Sequence, residues 1–253
     1  MKLLLIAISA ILLAPNFFNI NLAETPQYDH KEKFNPGLAY INSTEKLIQV
    51  SDSIAKRNNI PQKSLAYAIT VSQVLRNRFY HGFSRYPLNQ NWIAAISEQC
   101  FGYGLASIVK PDDILKYSFG GCSQQSIVLM EVMKRKKIYY RCVGFPHHYA
   151  TELMFDNNWY FFDPNMEPNI PDSARLESKW NCCADSLKKY YDTARFNDLN
   201  WKFGNANVTF GKVNAPTAPN AEIFHTTTKY LSKTLWLFPL IVVFYRKRKK
   251  NNS

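Results

Sequence analysis

A chain of 253 residues that is 46% hydrophobic and 15% aromatic can bury a core, which excludes a disordered polymer and leaves room for one mid-sized domain with appendages. Its formal charge of +12 points towards nucleic acid until the charge is located: Lys229, Lys233, Arg246, Lys247, Arg248, Lys249 and Lys250 stand together near the C-terminus without an acid, and Lys2 stands alone near the N-terminus. Only +4 is left for everything between, so no nucleic-acid partner is expected.

Residues 1–23 open with one lysine and an uncharged apolar run, MKLLLIAISAILLA, followed by polar sequence and the small Ala23. This is the pattern of an export signal, too short for a comfortable membrane span. A cleaved signal peptide is the preferred reading; Asn21, where a small residue is favoured, keeps an uncleaved N-terminal anchor as the alternative. The folded domain is expected over residues 24–203.

Within it, NSTEKLIQVSDSIAKRN sets Asn42 ahead of Glu45 and spaces Leu47, Ile48 and Ile54 for a capped amphipathic helix. Pro61 then starts a second helix carrying Leu65, Ile69, Val71, Val74 and Leu75. Residues 84–121 mix aromatic, Gly and Pro residues around a short helical piece near Trp92 to Ser97. From Cys122 the residues Cys122, Ser126, Leu129 and Met133 make a helical stripe, closed by Lys134, Arg135, Lys136 and Lys137 where cations suit the helix dipole. Three runs follow, IYYRCVGF, HHYATELMF and NWYFFDP, β-branched and aromatic, the last two joined by a DNN turn. The order predicts an α+β fold: N-terminal helices and a cysteine-bearing helix packed on an antiparallel sheet. A further helix is expected around Asp185 to Ala194.

Residues 204–229, rich in Asn, Ala, Pro and Thr, read as a stalk. Residues 230–246 read as a short C-terminal transmembrane segment and 247–253 as a basic cytoplasmic tail, which turns the bulk of the chain to the exported side. A span wants about 20 apolar residues, so this one needs Tyr230 and Lys233 to snorkel and the bilayer to thin. A buried terminal strand, an amphipathic segment or a processed sorting tail are the alternatives. Five cysteines, Cys100, Cys122, Cys142, Cys182 and Cys183, suggest disulfides in an exported chain with at least one thiol left over. No CxxC pair occurs, so no zinc site is expected.

The chemistry centres on Cys122. A thiol at a helix N-terminus meets free N–H groups and a dipole that favour an anionic sulfur, and Gly120 and Gly121 before it allow close approach. Such a nucleophile needs a base and an orienting group. His148 starts one strand and Asp163 ends the next. With the turn centred on Asn157 and Asn158, Glu152 pairs opposite Asp163, and alternation puts His148, Glu152 and Asp163 on one face, on which the Cys122 helix can pack. That register leaves His148 four residues out of line with Asp163, too far without a bulge or twist. His147 points to the other face. Glu152 also has a structural alternative, an ion pair with Arg141.

The segment GGCSQQSIVLMEVMKRKKIYYRCVGFPHHYATELMFDNNWYFFDPN resembles the core of the transglutaminase-like superfamily, with Gly120 and Cys122, Arg141 and Val143, His148 and Glu152, and Trp159, Asp163 and Pro164 at the family's motif positions. Upstream, residues 91–124 are similar to exported bacterial members in which a P-x-D-I-L element precedes the cysteine. The resemblance implies a thiol-dependent amide hydrolase or acyltransferase with Cys122 as nucleophile, His148 as base and Asp163 as orienting carboxylate. It implies a peptide or protein amide substrate, no cofactor and no metal, and selects His148 over His147. It also implies an aromatic helper at the oxyanion site, for which Tyr103, Tyr117 and Phe119 are open candidates. The expected location is the periplasm or cell surface, attached to the membrane. A non-catalytic peptide-binding scaffold and a small-molecule acyltransferase are the competing expectations.

Overall fold

The computed structural model describes residues 1–251 apart from residue 167 and residues 182–184, 192–198 and 205–207; for 246–251 it describes the backbone alone. In chain order the helices before the sheet are α1 (Lys2–Leu13), α2 (Thr44–Arg57), α3 (Leu65–Arg78), α4 (Leu88–Phe101), α5 (Pro111–Ile114) and α6 (Cys122–Arg135). Strands β1 (Tyr140–Phe145), β2 (His148–Phe155) and β3 (Asn158–Phe162) follow. The chain continues through α7 (Asp172–Arg175), α8 (Glu177–Trp180), α9 (Asp185–Lys188), α10 (Leu199–Phe203), β4 (Thr209–Phe210), α11 (Pro219–Thr234) and α12 (Leu237–Asn251). The strands form one antiparallel sheet in the order β3-β2-β1-β4, so the chain is α+β. Two compact units result, one of residues Met1–Thr25, Arg85–Ile108 and Ala218–Ser253, the other of Pro26–Ser84 and Val109–Thr217.

The second unit carries the sheet. Helix α2 is capped by Ser43 rather than Asn42: the Ser43 hydroxyl accepts from the Lys46 N–H at 3.2 Å. Helix α3 starts at Leu65 rather than at Pro61, because the Ser64 hydroxyl accepts from the Tyr67 N–H at 3.2 Å while donating to the Pro61 carbonyl at 2.7 Å. Cap chemistry here outcompetes the proline as a start signal. Asp52 of α2 accepts from the Tyr67 hydroxyl at 2.8 Å and from Lys136 at 2.7 Å, which ties α2 and α3 to the end of α6. Arg78, almost fully buried, donates to the carbonyls of Ile41 and Leu115 and so holds two loops to α3. Burial pulls its guanidinium down to about 10. The apolar stripe of α6, Val128, Leu129, Val132 and Met133, is wholly buried, each side chain contributing roughly 1.5–3 kcal/mol by leaving water.

The β2–β3 turn is centred on Asp156 and Asn157, both with positive φ (49° and 59°), and Asn158 is already the first residue of β3. A two-residue hairpin needs left-handed backbone at both central positions, which Asp and Asn tolerate. The register therefore pairs Phe155 with Asn158 and Thr151 with Phe162, not the Glu152–Asp163 pairing that a turn one residue later would give. One face of the sheet, carrying Val143, Phe145, Ala150 and Phe161, is covered by Met166, Ile170, Trp180, Leu187, Leu199 and Phe203.

Residues 204–229 are not a plain stalk: Thr209 and Phe210 add an edge strand beside Gly144 and Val143, and α11 begins at Pro219. Two β-forming residues suffice for an edge pairing that the surrounding Asn and Pro composition conceals. The helix expected over 185–194 is seen as α9; its later part reaches residues outside the described ones.

In the first unit, Asn91 interrupts α4 with φ −156° and ψ 77°, and its side-chain oxygen accepts from the Ala94 N–H at 3.3 Å, capping the helical piece that starts at Trp92. Helix α11 packs on α4 through polar groups: Asn91 donates to the Thr228 hydroxyl at 2.9 Å and the Trp92 indole to the Ser232 carbonyl at 3.0 Å. The apolar α1 and α12 lie against each other. Among the described residues no helix is long and apolar enough to cross a membrane. The expected 230–246 segment is divided between the end of α11 and the start of α12, a break that leaves Pro239 in a first turn, where its missing N–H is harmless.

Candidate active site

Helix α6 begins at Cys122 with the glycine pair immediately ahead of it. The first-turn N–H groups of any helix have no acceptor within it, so the thiol is placed beside free donors and the positive end of the dipole. The position of this helix start is fixed by a loop at residues 79–84. The Gly120 N–H donates to the Tyr80 carbonyl at 3.1 Å, and the Tyr80 N–H to the Ser118 carbonyl at 3.1 Å. The Gln124 side-chain oxygen accepts from the Gly121 N–H at 3.1 Å and the Ser84 N–H at 2.9 Å, while its amide donates to the Ser84 carbonyl at 2.8 Å. A Cβ added at Gly121 would stand 2.5 Å from the Phe83 ring. The glycine is there to admit that aromatic side chain.

His148 is the first residue of β2, paired with Phe145 of β1. Its Nε2 donates to Asp163 Oδ2 at 2.7 Å, and both side chains are buried. The Cys122 sulfur is also a hydrogen-bond partner of the ring. Burial pulls the imidazole down, but the Asp163 charge and hydrogen bond, reinforced by Cys122, push it up to about 9. Asp163 is itself held: the Tyr191 hydroxyl donates to the same Oδ2 at 2.8 Å and the Met166 N–H to Oδ1 at 3.3 Å. Cys122, by contrast, is partly exposed.

Among the described residues, helix α6 contributes none to the cover of the His148 face, on which it was expected to pack. Met166, Ile170, Trp180, Leu187, Leu199 and Phe203 cover that face, while α6 contacts β2 and its Ser126 hydroxyl reaches the Tyr149 carbonyl at 3.5 Å. Tyr149 is pushed up by burial and by a bond to Cys142, and it too senses the Cys122 charge. Adjacent strand residues point to opposite faces, and of these two it is His148 that hydrogen-bonds the sulfur.

The other motif residues are structural. Arg141 stands opposite Glu152 in the β1–β2 register and donates to it through Nε at 2.8 Å, with Nη2 at 2.6 Å from the same oxygen and 2.9 Å from Glu177. Its guanidinium lies between the rings of Trp159 and Phe210, 4.4 and 4.2 Å from their centroids. Burial raises the Glu152 carboxyl to about 7 against the pull of Arg141. His147 is not on the strand but in the turn, stacked on Trp201 at 4.0 Å.

Sequence reasoning did not single out Gln124, Ser84, Phe83, Tyr191 or Asn165. Asn165 Oδ1 accepts from Gln125 at 3.0 Å and His81 at 3.1 Å, bracing the loop after Asp163 against α6 and the 79–84 loop. Gln124 was findable, since an N3 glutamine after a helix start is half of a capping box. Of the aromatic candidates, Phe119 is pinned by Tyr80 and Tyr117, with centroids 5.5 Å away on each side; Tyr103 is 94% exposed on a positive-φ turn. Cys100, Cys122 and Cys142 are free thiols, and Cys182 and Cys183 lie outside the described residues. Comparison with protein-family models, curated proteins and solved structures gives no match.

Proposed function

We propose that the chain is an exported, membrane-attached thiol enzyme of the transglutaminase-like type, an amide hydrolase or acyltransferase acting on peptide or protein substrates. The observation that carries this reading is the buried His148 imidazole, bonded to the Asp163 carboxylate through Nε2 and hydrogen-bonded as well to the partly exposed Cys122 sulfur. In the reaction His148 is the base that takes the thiol proton as the sulfur attacks. The thiolate attacks the amide carbonyl; the C–N bond breaks as His148 returns the proton to the departing amine, and a thioester on Cys122 remains. Water, or a second amine, then attacks the thioester, giving up a proton to His148 and regenerating the thiol. The first-turn N–H groups of α6 are the donors available to the carbonyl oxygen as it becomes negative.

Attachment to the membrane is assigned to the C-terminal segment, where Phe238, Ile241, Phe244 and Tyr245 are exposed just ahead of five consecutive cations. The deciding experiment for the enzyme is labelling with an electrophilic peptide amide analogue in wild type, Cys122→Ala and His148→Ala. Labelling of wild type alone is expected; equal labelling of all three assigns the same fold to a non-catalytic binding role.

A further inference from the structure

A second site lies in the sheet-bearing unit. A cavity of about 510 Å³ is floored by one stripe of α3, Ile69, Gln73 and Arg76, and closed by residues around Met166, by Arg175 and by Tyr190 and Tyr191. Its described lining carries Lys31, Lys33, Arg76 and Arg175 against one acid, Asp172. Arg76 is 3% exposed, and its Nε donates to the Met166 carbonyl at 3.1 Å. Among the described residues Nη1 and Nη2, both buried, have no partner. A guanidinium in that state costs free energy unless a counter-charge meets it. The two unpaired nitrogens form a planar fork whose complement is a pair of oxygens on one anionic group.

We propose that this cavity is a binding site for a small oxyanion of carboxylate or phosphate type, gripped bidentately by Nη1 and Nη2 of Arg76 with Lys31 and Lys33 supplying positive potential from their exposed positions. The assignment goes beyond the proposed enzyme and does not depend on it. It does adjoin it: Met166 accepts from Arg76 and donates to Asp163, and Tyr191 both lines the cavity and bonds Asp163. An anion seated on Arg76 therefore rests against the backbone and hydroxyl that hold the triad carboxylate.

The test is calorimetric titration of the full chain carrying Cys122→Ala, which removes the thiol chemistry, with inorganic phosphate in one arm and succinate in the other, at ionic strength matched with chloride. Saturable binding is expected in at least one arm, and the arm that binds identifies the source, a phosphoryl group or a carboxylate. Arg76→Gln is expected to weaken binding at least about ten-fold, since a charge-assisted pair is lost. Lys31→Gln with Lys33→Gln, at exposed positions that leave folding intact by circular dichroism, is expected to weaken it several-fold and decides the matter if Arg76→Gln does not fold. No saturable binding in either arm, or affinity unchanged in the folded variants, overturns the proposal.

Discussion

His148 Nε2 and Asp163 Oδ2 are 2.7 Å apart although neither residue stands opposite the other. The register that pairs Thr151 with Phe162 sets Ala150 opposite Asp163, so His148 is its diagonal neighbour two residues on. Diagonal pairs lie within reach of long or aromatic side chains on the same face. A turn centred one residue later would have doubled that offset and broken the pair.

The ring's proton affinity follows from this contact. Burial alone would depress it, so Asp163→Asn, which keeps the shape and removes the charge, is expected to bring the His148 pKa from about 9 to below the ordinary histidine value of 6.5. Nuclear magnetic resonance titration of the imidazole reads this directly. Because the folded value is raised, the stabilisation is complete below about pH 6.5 and is lost as the pH rises through 9. Denaturant titrations of wild type should lose roughly 3 kcal/mol over that window. A flat profile, or an unchanged ring in Asp163→Asn, would show that the carboxylate does not control the imidazole.

Gly121→Ala tests the seating of the cysteine helix. The backbone there, φ −71° and ψ 170°, suits any residue, so the penalty is steric and falls on the Phe83 ring. A loss of about 1–2 kcal/mol is expected in thermal or denaturant unfolding. Phe83→Leu should recover part of it in the double variant. Additive losses in the two substitutions would place the cause elsewhere.

Glu152 gives a second pH window. Its carboxyl is raised to about 7, first by burial, so the protonated form is favoured in the folded state. That contribution is present below the ordinary 4.5 and is lost as the pH rises through 7. Glu152→Gln keeps an acceptor for Arg141 and removes the titration. Its stability curve is expected to run flatter than wild type between these values, and parallel curves would contradict the assignment.

Membrane attachment predicts that the full chain cosediments with vesicles containing phosphatidylserine, less so as salt rises. Phe238→Asp with Ile241→Asp, both at exposed positions, should reduce the bound fraction several-fold. Equal binding by the double variant would leave only the cations to explain it.

The helix from Cys122, the three strands and the parity of His148 and Asp163 were legible because each rests on local periodicity, and the ion pair of Arg141 with Glu152 on their places in adjacent strands. The register was misplaced by the DNN turn, where three residues could each have occupied the corner and only the backbone angles of Asp156 and Asn157 decide. What pattern could not reveal was set by distant chain: the cover of Met166, Ile170, Trp180, Leu187, Leu199 and Phe203 over the His148 face, the Tyr191 bond to Asp163, and the loop 79–84 that meets the glycine pair. These contacts have no period. The stalk reading failed for a related reason, since α11 packs through Asn91, Thr228, Trp92 and Ser232 rather than an apolar stripe.

Gln124 joins two of those distant parts. Its oxygen receives the Gly121 and Ser84 N–H groups and its nitrogen serves the Ser84 carbonyl, all in a buried setting. Gln124→Ala leaves three backbone groups without this partner and should cost about 2–4 kcal/mol, at roughly 1 kcal/mol or more for each bond. Gln124→Glu keeps the acceptor for both N–H groups but loses the donor to the Ser84 carbonyl and buries a charge, so it should rank no better than Gln124→Ala. The readout that separates seating of the Cys122 thiol from general stability is its alkylation well below the melting temperature. With the helix start released from the 79–84 loop, the rate should fall in folded Gln124→Ala, whereas Lys134→Ala at the exposed far end of α6 should leave it unchanged. If both variants alkylate as wild type does, the Gln124 bonds hold the loop but do not position the thiol.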